Sequence, residues 1–266
     1  MATRICVVGA CGRMGRRILE LAATVPDLEI AGAVDVPERA GDIFSWHTPA
    51  GNQQVPITDN LEAALRNADV LIDFTQPEAT AHHAETAAAL GKGCVVGTTG
   101  LNEAQRRALE RAAQQIPIVF SPNMSVGVNL LFKLTRDVAR ILGTGYNVEI
   151  IEVHHNQKKD SPSGTAVRLA ECVAEALGLS YADHTVHGRV GNVGARPVEE
   201  IGIHAVRGGD VVGEHTVCFF GTGERIELVH KAHNRDNFAR GALLAAKFVH
   251  TAPPRVYDMQ DVLGLR

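Results

Sequence analysis

The chain has 266 residues, 45% of them apolar and 21% charged, and its 26 basic and 30 acidic side chains leave a net charge of −4. This is ordinary globular composition with enough apolar material for a real core, and neither the charge balance nor any basic tract points to a nucleic-acid partner. The apolar run before Gly9 is too short for a secretory signal and no stretch is long enough to span a bilayer, so no membrane partner is expected. Five scattered cysteines (Cys6, Cys11, Cys94, Cys172 and Cys218) include no CxxC pair, which argues against a disulfide framework or a zinc site and for a reducing cytoplasm.

In chain order, residues 4–8 (RICVV) form the unbroken apolar run of a buried parallel strand. Residues 12–25 space Met14, Ile18, Leu21, Ala22 and Val25 as a helix does. A strand at 28–34 follows, then a short helix at 60–67, a strand at 70–74 and a helix at 77–90 opened by Pro77. Residues 94–96 are a strand, 102–115 a helix with a capping-box-like start, and 116–120 a strand. Strand and helix alternating at short intervals predict parallel βαβ units with right-handed crossovers. After Ser125 the rhythm changes. Residues 126–142 are a long amphipathic helix, 147–154 a strand and 165–177 a helix. Three strand candidates then follow without helices between them, at 200–206, 214–220 and 225–229. That order predicts an antiparallel or mixed sheet in a second, α+β domain. The Gly-rich stretch 187–197 reads as a loop, while the helix 237–249 and the tail 253–265 could pack on either domain.

"VVGACGRMGRR" places Gly9, Gly12 and Gly15 between the first strand and the first helix. Glycine lets a backbone approach a pyrophosphate, whose charge then sits at a helix N-terminus. Asp35 lies at the end of the second strand, 20 residues after Gly15, where a dinucleotide fold puts the carboxylate that holds a ribose hydroxyl pair. The middle glycine of the usual GxGxxG is Cys11 here, so the pattern is GxxGxxG. A thiolate is favoured near a helix N-terminus, but a small residue filling a turn is the simpler reading of Cys11.

"HHNQKKDSPSGTA", residues 154–166, combines acid/base side chains with a helix start. His154 and His155 end a strand and so face opposite ways. Lys158 and Lys159 follow, and Ser163 is placed to cap a helix whose first turn holds Gly164 and Thr165. Free N–H groups there, with the Thr165 hydroxyl, make a site for a carboxylate. Proton donors beside a carboxylate site suit reduction of an electron-poor double bond: hydride adds at one carbon and a nearby acid quenches the developing negative charge. His82 and His83, in an Ala-rich helix, read as a partly exposed face, and His204, His215, His230 and His233 as core or interface groups. No spacing of histidines supports a metal site.

The stretch resembles the motif HHxxKxDxPSGTA of the dihydrodipicolinate (4-hydroxy-tetrahydrodipicolinate) reductases at all nine fixed positions. "GACGRMG" is similar to that family's nucleotide loop. "DFTQP" at 73–77, "GTTG" at 97–100 and "SPNMSVGVN" at 121–129 resemble its nicotinamide-side loops. "RGGDVVGEHTV" at 207–217 and "FARGAL" at 238–243 are similar to its substrate-domain strands and final helix. The resemblance implies an α/β fold: a Rossmann-type parallel sheet domain at 1–125 and 235–266, with an inserted α+β domain for substrate binding and oligomerisation at 126–234. It implies NAD(P)H-dependent reduction of a small dicarboxylate in diaminopimelate and lysine synthesis, by a homotetramer. His154 and Lys158 take the catalytic roles, and His155, Gly164 and Thr165 the substrate contacts. Gly9, Ala10, Cys11, Gly12, Arg13, Met14, Asp35, Gly97, Thr98, Thr99, Ser121, Pro122, Asn123 and Met124 take the cofactor contacts. Lys159 has no role in the motif.

Two rival readings stand beside this one. An aspartate-dehydrogenase-like enzyme would share the nucleotide half but not the HHxxKxDxPSGTA stretch. A non-catalytic nucleotide sensor would not need Lys158 and Thr165. Between the cofactors, NADH is expected to be preferred over NADPH. Asp35 repels a 2′-phosphate, and Val36 stands where the family often carries an arginine that offsets the repulsion.

Overall fold

The computed structural model describes residues 2–48 and 51–266. The first elements are β1 (Thr3–Val8), α1 (Arg13–Ala22), β2 (Leu28–Val34), β3 (Ile43–Thr48), β4 (Gly51–Thr58), α2 (Leu61–Arg66) and β5 (Val70–Asp73). Next come α3 (Pro77–Ala89), β6 (Gly93–Val96), α4 (Glu103–Ala112), β7 (Pro117–Phe120) and α5 (Val126–Leu142). Then follow β8 (Asn147–His154), α6 (Gly164–Leu177), α7 (Tyr181–His184), β9 (Thr185–His187), β10 (Ile201–Arg207), β11 (Gly213–Phe220) and β12 (Arg225–Ala232). The chain closes with α8 (Asp236–Thr251), β13 (Arg255–Tyr257) and α9 (Met259–Val262). Two compact units result: Met1–Val126 with Asp236–Arg266, and Gly127–Arg235.

The first unit is built on an eight-stranded sheet of order β13-β7-β6-β5-β1-β2-β4-β3. Every pairing in it is parallel except β3 with β4. The central strands β1, β5 and β6 are buried on both faces, as their continuous apolar runs require. Helix α8 belongs to this unit, and its close approach depends on glycine. A Cβ at Gly241 would stand 1.7 Å from the Met124 carbonyl oxygen, and one at Gly93 would stand 2.2 Å from Val249. The capping box at α4 forms as its sequence predicts, between Asn102 and Gln105.

Three features depart from the sequence reading. The ribbon β3–β4 extends the sheet, although its sequence has no unbroken apolar run. It alternates instead, and Phe44 and Trp46 stack on one face 5.5 Å apart against the core. The tail, left open between the two domains, places β13 beside β7 as a parallel edge strand. The short pair α7–β9 precedes the glycine-rich stretch, and His187, assigned to that loop, ends β9.

The second unit carries a mixed five-stranded sheet of order β12-β11-β8-β10-β9, in which β8, β10 and β9 run parallel and β11 is antiparallel to β8 and β12. One face is covered by α5 and α6, whose Val128, Leu131, Leu169 and Val173 pack on Val148, Ile150, Ile203 and Phe219. Strand β8 alternates strictly, so Val148, Ile150, Glu152 and His154 share the buried face. The apolar row of β8 therefore ends in a carboxylate and an imidazole. The loop after β9 is held down by Arg189 and Arg196, which both reach Glu149 on the opposite face of β8, and His204 joins them. Burial opposes the charge on Glu149, but these partners outweigh it and bring the carboxyl down to about 2.

Candidate active site

The glycine loop lies between β1 and α1. Gly9 has φ +68°, a left-handed conformation that favours glycine. A Cβ at Gly15 would stand 2.0 Å from the Gly9 carbonyl oxygen, so that glycine lets the helix pack onto the loop. Gly12 caps α1 with no side-chain hydrogen bond, and no acidic residue sits in the first turn, so the orphan N–H groups are left for an anion. Asp35 accepts the Cys11 N–H at 2.6 Å and the Val36 N–H at 2.8 Å, one on each oxygen. Each oxygen keeps a lone pair for a ribose hydroxyl. These features fit a dinucleotide. The Cys11 thiol is pushed up, by burial and by Asp35, so the small-residue reading holds and a thiolate is disfavoured. Ala10 is buried, Met14 packs on the core, and Arg13 is exposed.

The other residues assigned to the cofactor divide between loop surface and interior. Gly97 is needed by the protein itself, because a Cβ there would stand 2.2 Å from the Phe74 ring. The Thr98 hydroxyl is buried against Thr80 and Asp73, whereas Thr99 is exposed. Ser121 Oγ donates to the Asn123 carbonyl, and Asn123 Oδ1 accepts the Ser125 N–H, so this loop is braced internally. Pro122 is exposed, but the Met124 side chain lies in the core. Thr98 and Met124 therefore have only backbone to offer a ligand. His83 departs from its sequence reading: only His82 is an exposed group, while His83 Nδ1 lies 2.8 Å from the fully buried Asp73. Burial opposes the Asp73 charge, yet His83 and the Thr75 donors hold its carboxyl below the ordinary range. That pair ties α3 to the end of β5.

In the second unit, His154 and the start of α6 converge on Glu152, which has no exposed surface. Glu152 Oε2 lies 2.5 Å from His154 Nδ1, and Oε1 accepts the Ser163 N–H at 2.9 Å. Arg207 donates to both oxygens at 2.7 Å and also to the Asp160 carbonyl at 2.8 Å. Burial opposes ionisation of Glu152, but Arg207, His154 and Ser163 together hold its carboxyl below the ordinary value. An ionised carboxylate accepts only, so His154 carries its proton on Nδ1 and Nε2 is the nitrogen left for exchange. Burial, with the Lys158 and Arg207 charges, keeps the His154 pKa below normal against the pull of Glu152. A Cβ at Gly213 would stand 3.0 Å from Nε2, so the glycine leaves that nitrogen room.

Lys158 is held in the loop by Asp160 at 2.9 Å, while Lys159 is exposed. His155 follows the last residue of β8, and its Nδ1 is buried without a hydrogen-bond partner. Ser163 caps α6 as predicted, its Oγ accepting the Ala166 N–H. At Gly164 a Cβ would meet no protein atom, so the space before the helix start is open. His215 is buried, lies edge-on to His154 with ring centroids 5.2 Å apart, and touches Ser163 Oγ at 3.0 Å. Burial and the nearby charge of His154 push His215 down to about 3, so it is neutral.

Sequence reasoning missed Glu152, Arg207 and His215. The one local signal was a glutamate two residues before His154, on the apolar row of an alternating strand. Among the described residues, no group of three or more His, Cys, Asp or Glu side chains could hold a metal ion, and no helix is long and apolar enough to cross a membrane.

Comparison with known proteins shows the family. Residues 3–124 match the family description "Dihydrodipicolinate reductase, N-terminus", and residues 127–263 match "Dihydrodipicolinate reductase, C-terminus". The chain belongs to the dihydrodipicolinate reductase family. It is 51% identical to the 4-hydroxy-tetrahydrodipicolinate reductase of Anaeromyxobacter dehalogenans, covering 99% of this chain and 98% of that protein. It is 49% identical to the corresponding reductase of Myxococcus xanthus, with the same coverage. Among solved structures, the dipicolinate-bound dihydrodipicolinate reductase from Paenisporosarcina sp. TG-14 superposes with a TM-score of 0.78 at 26% identity, over 98% of this chain and 99% of that one. An amine dehydrogenase from Mycobacterium smegmatis shares the fold alone, at TM-score 0.58 and 11% identity over 97% of this chain and 95% of that one.

Proposed function

We propose that the protein reduces 4-hydroxy-tetrahydrodipicolinate to tetrahydrodipicolinate with NADH or NADPH, in the diaminopimelate route to lysine. The observation that carries this reading is the meeting of His154 and the start of α6 at one buried carboxylate, Glu152. An acid/base group and an open helix N-terminus for an anionic substrate thereby stand side by side. The family relatives bear this activity in their names, and the Paenisporosarcina protein was solved with dipicolinate bound. For the rival reading as an aspartate-dehydrogenase-like enzyme, the amine dehydrogenase lends only a shared fold.

In this reading the first unit holds the dinucleotide and the second the dicarboxylate. A bound reduced nicotinamide supplies the hydride. Gly164 and Thr165 hold a substrate carboxylate through backbone N–H groups and a hydroxyl, and His155 adds a further contact. Lys158 provides the proton that balances the hydride, His154 takes up and returns protons at Nε2, and the 4-hydroxyl leaves as water. Asp35 holds the adenosine ribose, and NADH is preferred. The glycine-loop residues Gly9 to Met14 line the pyrophosphate side. The exposed parts and backbone of Gly97 to Thr99 and Ser121 to Met124 serve the nicotinamide side.

The assembly in this reading is a homotetramer working in the cytoplasm. Its support is the uncovered face of the second sheet, where Ile151, Val206 and Val229 are exposed. Burying such a face against another copy removes apolar surface from water and protects sheet edges. The test of the reaction is a coupled assay in which a synthase makes the substrate from aspartate semialdehyde and pyruvate. Enzyme-dependent loss of nicotinamide absorbance is the expected result, and its absence with both cofactors overturns the reading.

A further inference from the structure

We infer that Glu152 is the positioning residue of this site: one buried carboxylate sets both the tautomer of His154 and the place of the helix start that receives the substrate carboxylate. The inference deepens the proposed reduction and rests on that reading.

Strand β8 presents Val148 and Ile150 to the core, and an apolar residue at position 152 would continue that row. A fully buried carboxylate stands there instead, at a cost in desolvation that an ion pair seldom recovers as net stability. If the pair with Arg207 served the fold alone, its two bonds would suffice. Glu152 has two more, and both go to the site. Oε2 takes the Nδ1–H of His154, which leaves Nε2 as the working nitrogen beside Gly213. Oε1 takes the N–H of Ser163, the N-cap of the helix whose first residues are Gly164 and Thr165. Both oxygens also accept from Arg207, which ends β10 in register with His154 and bonds the Asp160 carbonyl in the loop that carries Lys158. The guanidinium thus keeps Glu152 ionised and fixes its plane. Displacing this carboxylate would shift His154 and the helix start together.

The test is Glu152→Gln. The Ser163 N–H, which donates to Oε1, would hold the Gln carbonyl oxygen there and leave the amide NH₂ facing His154 Nδ1, which reverses the tautomer. Nitrogen-15 spectra of histidine-labelled protein without cofactor, with a His154→Asn spectrum for assignment, read this directly. Wild type should show protonated Nδ1 and bare Nε2, and Glu152→Gln the reverse. Turnover should fall roughly 10²–10⁴-fold, the range for a general acid/base lost or held in the wrong tautomer. Dipicolinate affinity, measured by calorimetry without cofactor, should fall by at least about tenfold, as loss of one hydrogen bond to an anion would give. The pKa of His154 should move down once the carboxylate that favours its charged form is gone.

Glu152→Gln leaves Arg207 without a counter-charge, so the double variant Glu152→Gln/Arg207→Gln supplies a version with neither charge that keeps the fold testable. It should fold and show the same reversal and the same loss. Wild-type turnover and an unchanged His154 tautomer in either folded variant would overturn the inference and leave Glu152 a part of the fold alone. A wild type with no activity on the proposed substrate would sink the reaction instead, while the tautomer spectra would still decide the role of Glu152.

Discussion

The glycine loop and the His154 cluster are built by opposite means. The first offers backbone and empty space: Gly12 leaves its helix uncapped, and the carboxylate of Asp35 is held by the Cys11 N–H of the loop itself. The second is made of buried side chains whose partners come from distant parts of the chain. Arg207 and Glu152 are 55 residues apart, and His215 and Ser163 are 52 apart. A backbone site is robust to most side-chain changes away from its glycines. A side-chain network fails when any one member is lost, because the remaining buried groups are left unpaired. Mutations should therefore separate the two regions cleanly, with steep losses in the second and graded ones in the first.

The steepest expected loss is at Lys158. It is held by a single contact to Asp160 in a polar loop, and so contributes little to the fold. Lys158→Ala should cut turnover by roughly 10²–10⁴-fold, the range for a lost general acid. The melting temperature and the affinity for NADH should stay close to wild type. Near-full activity in the purified variant would remove Lys158 from the chemistry and take the contrast between the regions with it.

Acid should reveal the second region through His215. Its folded pKa is about 3, against an ordinary value of 6.5, because burial and the charges of His154, His230 and Lys158 oppose protonation more than Glu152 favours it. The unfolded chain therefore binds the proton first as pH falls. The neutral ring's contribution is complete above about pH 6.5 and is lost progressively as pH drops toward about 3. At about 1.4 kcal/mol per pH unit, this one group costs ~2 kcal/mol of stability by pH 5. Denaturant titrations across that window should show His215→Gln with a flatter pH dependence than wild type. Parallel curves would mean that His215 is protonated within the fold.

What the residue order discloses follows the same division. Glycine spacing, strand–helix alternation and the Ser163 cap are local, so the parallel sheet, the anion loop and the start of α6 could all be read directly. Residues 154–166 are contiguous, which made His154, Lys158, Gly164 and Thr165 visible as a group. Glu152, Arg207 and His215 were hidden because their relation exists only after β8, β10 and β11 pair. The Asp73–His83 pair spans ten residues across a strand–helix turn, and an Ala-rich helix gave no hint that one of two adjacent histidines turns inward. Edge elements were obscured for another reason. The ribbon β3–β4 and strand β13 are short or half-exposed, and carry too few apolar residues to stand out.

A smaller effect sharpens the view of the anion site. If the first turn of α6 receives a substrate carboxylate, Thr165→Val should weaken dipicolinate by about 1–3 kcal/mol, the cost of one hydrogen bond to a charged group. Inhibition should remain competitive with substrate. An unchanged inhibition constant would place the carboxylate elsewhere in the second unit.

The smallest effect belongs to the backbone site, and concerns cofactor choice. Both oxygens of Asp35 already accept an N–H, and both retain capacity for the hydroxyls that an NADH ribose would bring. A 2′-phosphate would meet that same charge. Val36 is 55% exposed and has no group to offset the repulsion. Arg39 lies beyond Pro37 and shares an exposed contact with Asp42 at 3.4 Å, which offsets part of its charge. Val36→Arg would supply a guanidinium at the surface, where an ion pair contributes at most about 1 kcal/mol. The ratio of kcat/KM for NADPH over NADH should then rise by up to about fivefold at fixed ionic strength, nearly all of it in the NADPH value, because only the phosphate gains a forked partner. The rise should shrink with added salt, as an exposed charge pair requires. A wild type that already prefers NADPH would show that an exposed arginine of α1, Arg13 or Arg16, holds the phosphate. The first region would then recognise its ligand by side chains as well, and the contrast with the second would lose its sharpest edge.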